Sequence, residues 1–514
     1  MKVKSICIVG GGSSGWMMAY ALYKKTPEIQ VTLIESPDIK VIGVGESTIP
    51  YTTRFIEEYL GFDEKEWMKY CNATYKASIK FNNFKKSKES IYHPFWSQEE
   101  ASVEGYTWAV KKRLSPDTTI SDYYSKHYLT YHMSEATKFE KVEGLSHAHH
   151  MDAEKFGTFC KEKLLEIDAL RYIQDTVVSV DTEGEGIKSI KTSGGLEISE
   201  DLFVDCTGFS AILIGKSCKE PFLSTEDTLL NNRAVACRVP YTTESKAREL
   251  EPFTDCTALS SGWAWNTPLW DRVGTGYVYS SKFLSAEKAE EEFRDYLSSR
   301  FSEDRIQQLE VGHIKFRGGS YESTWVGNCV SLVLASGFVE PLESTGLALA
   351  AFQIKSFISS LTADHTFNSL ARQVHNTKVR DAMSEVHEFV FLHYISTDRE
   401  DTEYWKFISN EQKVPEPLLS RITTGGSEGS KGSVSWFQEK SWECILLGFE
   451  VPGQYTSNLT YNGILIDGAH RDSEAILNDI EEYLAPTEAA YIEKVSTLTS
   501  SYQYLKDNIY DSDN

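Results

Sequence analysis

Gly10, Gly12 and Gly15 stand in the spacing G-x-G-x-x-G, a pattern whose chemistry belongs to the backbone. The first glycine permits a tight turn, the second lets main chain approach a pyrophosphate, and the third lets a helix pack closely on a strand. Ser13 and Ser14 lie inside the pattern, at a helix N-terminus whose unpaired amides attract phosphate. Glu35 follows Gly15 by twenty residues, where an acid accepts hydrogen bonds from a ribose diol. Such a site requires a strand over residues 3–9, a turn over 10–15, a helix over 16–25 and a second strand over 31–35. A structural glycine-rich turn is the alternative. The strand before it, the helix after it and the acid in place favour a bound dinucleotide, without saying which one.

A second small-residue turn, residues 204–208 (VDCTG), ends an apolar stretch over 202–206 that reads as a buried strand. Flavoproteins carry such a turn where the chain passes the ADP moiety again, so FAD is favoured. Only one full G-x-G-x-x-G is present, which points to reduced flavin delivered by another protein.

The chain has 514 residues and a formal net charge of −23, from 52 Lys+Arg against 75 Asp+Glu. Nucleic acid and an anionic membrane surface both need a positive field, so neither is an expected partner. At 41 % hydrophobic residues the chain can build a large core. Its nine cysteines are odd in number and contain no CxxC pair. This reads as reduced thiols in a cytoplasmic protein, with no disulfide framework and no metal site expected. The N-terminus opens on an apolar strand rather than a signal peptide, and no run of 18 apolar residues predicts a membrane span. Further expectations are a strand over 325–334, a helix over 344–354 buried on all sides, and an amphipathic helix over 286–297. A flexible Gly/Ser loop is expected over 424–433, and a frayed acidic tail over 507–514.

Four more stretches carry a family resemblance: residues 43–50 (GVGESTIP), 75–81 (YKASIKF), 262–268 (GWAWNTP) and 338–346 (FVEPLESTG). With the glycine turn, they resemble the flavin-dependent halogenases of the tryptophan-halogenase type, in register from residue 1 to about 410 and again near Trp436. The W-x-W-x-x-P element is the family's signature. Thr267 stands where the family usually has Ile.

The resemblance implies an α/β fold: an FAD-binding, Rossmann-like domain of the GR2, flavin-monooxygenase-like type over 1–410. Residues of about 75–150 and 220–320 would contribute to the substrate side, and a mostly helical region over 411–514 would complete the pocket. The implied activity uses FADH2 from a separate NAD(P)H flavin reductase, with O2 and halide, to make hypohalous acid. That oxidant travels through the protein to Lys76, with Glu343 working beside it. Lys76 would hydrogen-bond the hypohalous acid or form a haloamine. Burial favours the neutral amine and a paired Glu343 the ammonium, and the sequence leaves open which prevails. Glu343 could also take the proton lost from the halogenated ring; Glu340 reads as structural. Gly43, Gly45, Glu46, Ser47 and Thr48 join Gly10, Gly12, Ser13, Ser14, Gly15 and Glu35 as cofactor-binding residues. Thr345 and Gly346 would hold halide at a helix N-terminus, although Thr is also a common N-cap. Trp263 and Trp265 would wall the flavin from the substrate, or else line one face of a core strand.

The resemblance further implies that His93, Phe95 and Phe437 sandwich a planar substrate, with core packing the alternative for each. Family members acting on free tryptophan also carry a Tyr-Tyr pair and a glutamate before the aromatic pair matched by Trp436 and Phe437. Residues 424–433 (TGGSEGSKGS) have no Tyr-Tyr pair. The expected substrate is therefore an electron-rich aromatic such as an indole or phenol, and the expected halides are bromide and iodide at least as readily as chloride. A homo-oligomer, dimer or trimer, is expected. An FAD-dependent aromatic hydroxylase is the competing enzyme; a non-catalytic flavin-binding protein is the third reading.

Overall fold

Four consecutive side chains, Ile6 to Val9, are buried on both faces of the strand Ser5–Val9, which makes it the interior strand of a parallel sheet covered by helices. The computed structural model describes residues 2–511 except 40–42, 44, 101–104, 308, 362–364, 425–435, 452–458, 462–463 and 467–472. Ser5–Val9 pairs with Leu202–Asp205 on one side and with Gln30–Glu35 on the other, both parallel. Arg171–Gln174 and Cys329–Ser331 extend the sheet outward, also parallel. The helix Ser13–Lys25 connects the first two strands. This is the dinucleotide-binding α/β arrangement expected from the glycine spacing.

Two sequence expectations need correction. Residues 325–334 do not form one strand. Gly327 takes φ +53, so Trp325–Val326 and Cys329–Ser331 fold back on each other around Gly327 and Asn328, antiparallel; a Gly/Asn pair is a hairpin turn sequence. The acidic tail is docked through residue 510: Ile509 is buried, and Tyr510 stacks on Trp270 with ring centroids 3.9 Å apart. The Tyr510 hydroxyl also donates to the Ala73 carbonyl at 2.8 Å. Aromatic contact outweighs the fraying that terminal charge predicts. Residues 512–514, and the Gly/Ser loop from 425 to 433, lie outside the described residues.

A second sheet of seven strands runs Gly312–Lys315, Arg233–Pro240, Arg272–Tyr279, Gly262–Pro268, Phe253–Leu259, Ser78–Asn82, Ile91–Pro94. Only the pairing of Phe253–Leu259 with Ser78–Asn82 is parallel. The small sheet Glu46–Ser47, Ala148–Met151, Thr74–Lys76 adjoins it, because Lys76 and Ser78 belong to successive strands separated by Ala77 alone. The apolar stretch after Thr345 forms the helix Gly346–Ser360, and the helix Ser369–Ile395 buries most of its C-terminal half. Ala286–Arg300 is amphipathic as expected and buries Ala289, Phe293, Tyr296 and Leu297. Among the described residues no helix is long and apolar enough to cross a membrane. All nine cysteines are free thiols.

Candidate active site

Lys76 ends the strand Thr74–Lys76 with its side chain fully buried. Its Nζ donates to Ser47 Oγ at 2.8 Å, to the Thr48 carbonyl at 2.9 Å and to Ser344 Oγ at 2.9 Å. All three acceptors are neutral. Burial pulls the amine from 10.5 down to about 7, while Glu343 acts in the opposite sense. Burial therefore brings the amine to where both forms are accessible: the ammonium can donate all three bonds, and the neutral amine keeps two of them and a lone pair.

Glu343 is also fully buried, but its partners are histidines rather than Lys76. His93 Nδ1 lies 2.7 Å from Oε2, and His393 Nε2 lies 2.8 Å from Oε1, the latter off the line of a hydrogen bond. Burial alone pushes the Glu343 carboxyl up; the two imidazoles, His93 foremost, outweigh it and hold the group at about 2. The other ring nitrogen of His93 meets Ser441 Oγ at 3.0 Å.

One short segment aims these groups. Glu340 caps a 3-10 turn, Pro341–Glu343, and Ser344 follows at φ +59. A left-handed serine costs strain and marks a position where side-chain direction matters. Here it sends Ser344 Oγ toward Lys76 while Glu343 reaches the histidines. Glu340 faces a third way. Its Oε2 accepts from Trp263 Nε1 at 3.1 Å and from Asn231 Nδ2 at 2.8 Å, and burial raises its pKa. Trp263 is thereby locked in place; Trp265, two residues on, lies 6.1 Å away centroid to centroid. Gly276 pairs across from Trp265, and a Cβ there would come within 2.1 Å of the indole.

Thr345 caps the helix Gly346–Ser360 without a side-chain capping bond, and its buried Oγ1 has no hydrogen-bond partner. A Cβ on Gly346 would meet nothing within 4 Å. An orphaned hydroxyl, free amides and open space together suit a small anion. Phe95 lies under Lys76, with Nζ 5.5 Å from its ring centroid, and His93 lies 6.5 Å from Phe95 and 6.4 Å from Phe437. Phe437 stacks on Phe389 at 3.8 Å.

At the glycine turn, a Cβ on Gly15 would come within 2.0 Å of the Gly10 carbonyl oxygen, and one on Gly10, at φ +115, within 2.2 Å of the Cys206 oxygen. Gly12 faces open space and caps the helix Ser13–Lys25 without a side-chain bond. Ser13 Oγ donates to the Ala153 carbonyl at 2.6 Å. A cleft of about 260 Å³ lies here, lined by Gly11, Ser13, Trp16, Glu35 and Lys161 among others. Glu35 Oε2 holds Lys161 Nζ and the Tyr172 hydroxyl, both at 2.6 Å. Asp205 accepts four hydrogen bonds, from Thr207 N and Oγ1, Leu213 N and Ile214 N, which fixes the second turn. Uncapped amides, glycines that any Cβ would block, and an acid at the cleft fit an FAD pyrophosphate and ribose. In the 43–48 stretch, Gly45 takes φ +129 against Leu269, and the Gly43 carbonyl accepts from Arg238. Glu46 accepts from Ala153 N and is raised by burial to about 7. Ser47 Oγ bonds Lys76 and Thr254, the Thr48 carbonyl accepts from Lys76, and Thr48 Oγ1 pairs with the His149 backbone. A larger cavity, about 670 Å³, lies elsewhere beside Lys80, Asp255 and Arg300 and includes neither Lys76 nor Glu343; the site is assigned by its chemistry, not by size.

Sequence reading did not find His393, Ser441 or the role of Ser344. His393 lies in the apolar run of a long helix, where nothing in its spacing distinguishes a carboxylate partner from core.

The tryptophan halogenase family model matches residues 5–462. The tryptophan 6-halogenase SttH of Streptomyces toxytricini is 35 % identical over 445 residues, covering 81 % of this chain and 83 % of SttH. The tryptophan 7-halogenase RebH of Lentzea aerocolonigenes is 34 % identical, covering 82 % and 81 %. The VirX1 apo structure superposes with a TM-score of 0.85 at 32 % identity, over 99 % of this chain and 100 % of that one. The chain belongs to the tryptophan-halogenase family of flavin-dependent enzymes.

Proposed function

We propose that this chain halogenates electron-rich aromatic molecules, such as indoles or phenols, with Lys76 aiming the halogen and Glu343 accepting a proton. The observation that carries this reading is the buried Lys76 amine on three neutral acceptors, poised near 7. Reduced FAD, with O2 and a halide ion, supplies hypohalous acid when bound. Thr345 and Gly346 would hold the halide through free backbone amides and the orphaned hydroxyl. Trp263 and Trp265 keep the aromatic substrate away from the cofactor, which favours halogenation over direct oxygen transfer.

At the substrate end, a neutral Lys76 amine has a lone pair for electrophilic halogen, whereas the ammonium can only donate hydrogen bonds. Either species orients the halogen, and a pKa near 7 keeps both accessible. Glu343, held anionic by His93 and His393, is ready to accept the proton that leaves the ring carbon. His93, Phe95 and Phe437 supply the aromatic walls. The absence of a Tyr-Tyr pair in residues 424–433 supports a substrate range not restricted to free tryptophan, with bromide and iodide accepted at least as well as chloride. A separate flavin reductase and a homo-oligomeric state belong to the same proposal.

The test is mass spectrometry of products from indole, simple phenols and free tryptophan, with FAD, a flavin reductase, NADH and each halide in turn. Halogenated products that vanish in Lys76→Ala while FAD binding persists support the assignment. Hydroxylated products independent of halide, or full turnover by Lys76→Ala, overturn it; a clear preference for tryptophan overturns the broad substrate range.

A further inference from the structure

We propose that Glu64, His147 and His149 form a binding site for one divalent transition-metal ion, best suited to zinc. His147 immediately precedes the strand Ala148–Met151 and His149 lies within it, two residues on, and both side chains face Glu64. Glu64 opens the helix Glu64–Tyr70 opposite them. One ligand atom from each lies within 4.8 Å of the others, and both imidazole Nε2 atoms stand 3.9 Å from Glu64 Oε1. That is too long for a hydrogen bond. Ligands on a tetrahedral zinc ion are about 3.4 Å apart, given zinc–ligand distances near 2.1 Å, so small side-chain rotations close the site.

Two observations point to a ligand. The Nε2 atoms of His147 and His149 are buried with no hydrogen-bond partner, and His149 is 1 % exposed. Orphaned buried nitrogens are costly unless something fills the gap between them. The outer contacts also present His149 correctly for a metal. The Thr53 hydroxyl donates to the His147 carbonyl at 3.5 Å, and its oxygen lies 3.1 Å from His149 Nδ1. Thr53 then accepts the Nδ1 proton, which leaves the Nε2 lone pair facing Glu64. Metal-binding histidines are oriented by such partners. Two imidazoles and a carboxylate favour zinc-like borderline ions over magnesium or calcium.

Lys141 Nζ now sits 2.8–2.9 Å from both Glu64 oxygens. It is the resident cation, and at 38 % exposure it is free to swing into solvent when a metal arrives. The ion would tie the helix Glu64–Tyr70 to the strand Ala148–Met151. The His149 backbone pairs with Thr48, whose carbonyl accepts from Lys76, so the clamp lies next to the lysine cradle. It departs from the expectation, drawn from cysteine usage, that no metal site exists; a histidine pair with a distant glutamate leaves no such signature.

The test is titration of chelator-treated, full-length protein with zinc chloride alone, read by calorimetry and thermal unfolding, with cobalt(II) absorption as a second probe. One zinc per chain, a raised unfolding temperature and a tetrahedral cobalt spectrum without a thiolate charge-transfer band are expected. His147→Ala and Glu64→Gln, each checked for native circular dichroism, should weaken binding at least tenfold, and Lys141→Ala should tighten it. No stoichiometric uptake by the wild type, uptake unchanged in a folded His147→Ala or Glu64→Gln, or a thiolate band placing the metal on cysteine would overturn the proposal.

Discussion

Replacing Lys76 by methionine isolates the burial effect at the proposed active site. Methionine keeps the length of the chain but cannot take a proton. In the wild type, burial lowers the amine from 10.5 to about 7. Between those values the unfolded chain binds a proton that the folded chain does not, so wild-type stability must rise with pH. The burial penalty is fully present below about pH 7 and is gone once pH passes 10.5. At 1.36 kcal/mol per pKa unit, the whole gap is worth about 5 kcal/mol, and the two units from pH 7.5 to 9.5 about 3 kcal/mol. Methionine strands the Thr48 carbonyl, at about 1–3 kcal/mol, whereas Ser47 Oγ and Ser344 Oγ keep each other and Thr254; that cost does not change with pH. The diagnostic quantity is therefore the slope of the stability difference. Urea unfolding of both proteins at a series of pH values should show the wild type gaining about 3 kcal/mol on Lys76→Met across that window. A flat difference would refute the reasoning, because it would mean that Lys76 keeps its proton, as an ion pair with Glu343 would require.

Glu343→Gln should cost about 3–5 kcal/mol at pH 7, the usual result of breaking a buried pair, and lower the halogenation rate by roughly 10²–10⁴. Because the carboxyl is held at about 2 rather than 4.5, its contribution is fully present above 4.5 and is lost as pH falls toward 2. The stability deficit in thermal unfolding should accordingly shrink in acid, and a deficit independent of pH would contradict the anionic assignment. Gly15→Ala puts a methyl 2.0 Å from the Gly10 oxygen. It should destabilise by about 1–3 kcal/mol and weaken FAD binding measured by flavin fluorescence; unchanged affinity would count against the glycine turn as the cofactor site.

The cofactor half of the fold was legible because its requirements are local. A turn at φ +115, a close approach at Gly15 and an acid one strand away each leave a residue type at a defined spacing. The Lys76 and Glu343 motifs were legible as family pattern, but their partners were not. Glu343 draws on His93 and His393, at separations of 250 and 50 residues, and only the second sheet and the helix Ser369–Ile395 bring these together. The hairpin at Gly327 was overlooked although its turn residues were in view, because the apolar run on both sides masked the punctuation. The docked tail failed for the opposite reason: its charge pattern is local, whereas the Trp270 platform that holds it is more than 200 residues away.

The separate anchoring of Lys76 and Glu343 has a chemical consequence. A direct ion pair between them would hold the amine as ammonium and neutralise the base, and both groups would be unfit for their proposed tasks. The turn Pro341–Glu343 followed by left-handed Ser344 avoids this. It gives the lysine a neutral hydroxyl from position 344 and sends the carboxylate at 343 to two histidines. The amine thus touches only neutral acceptors, and the Glu343 charge beyond them offsets burial only in part, which leaves its pKa near 7, whereas the carboxylate meets two imidazoles, which outweigh burial and leave it charged. Adjacent residues in one strained turn create opposite electrostatic environments, as the proposed electrophile carrier and proton acceptor would need to work side by side on the same ring.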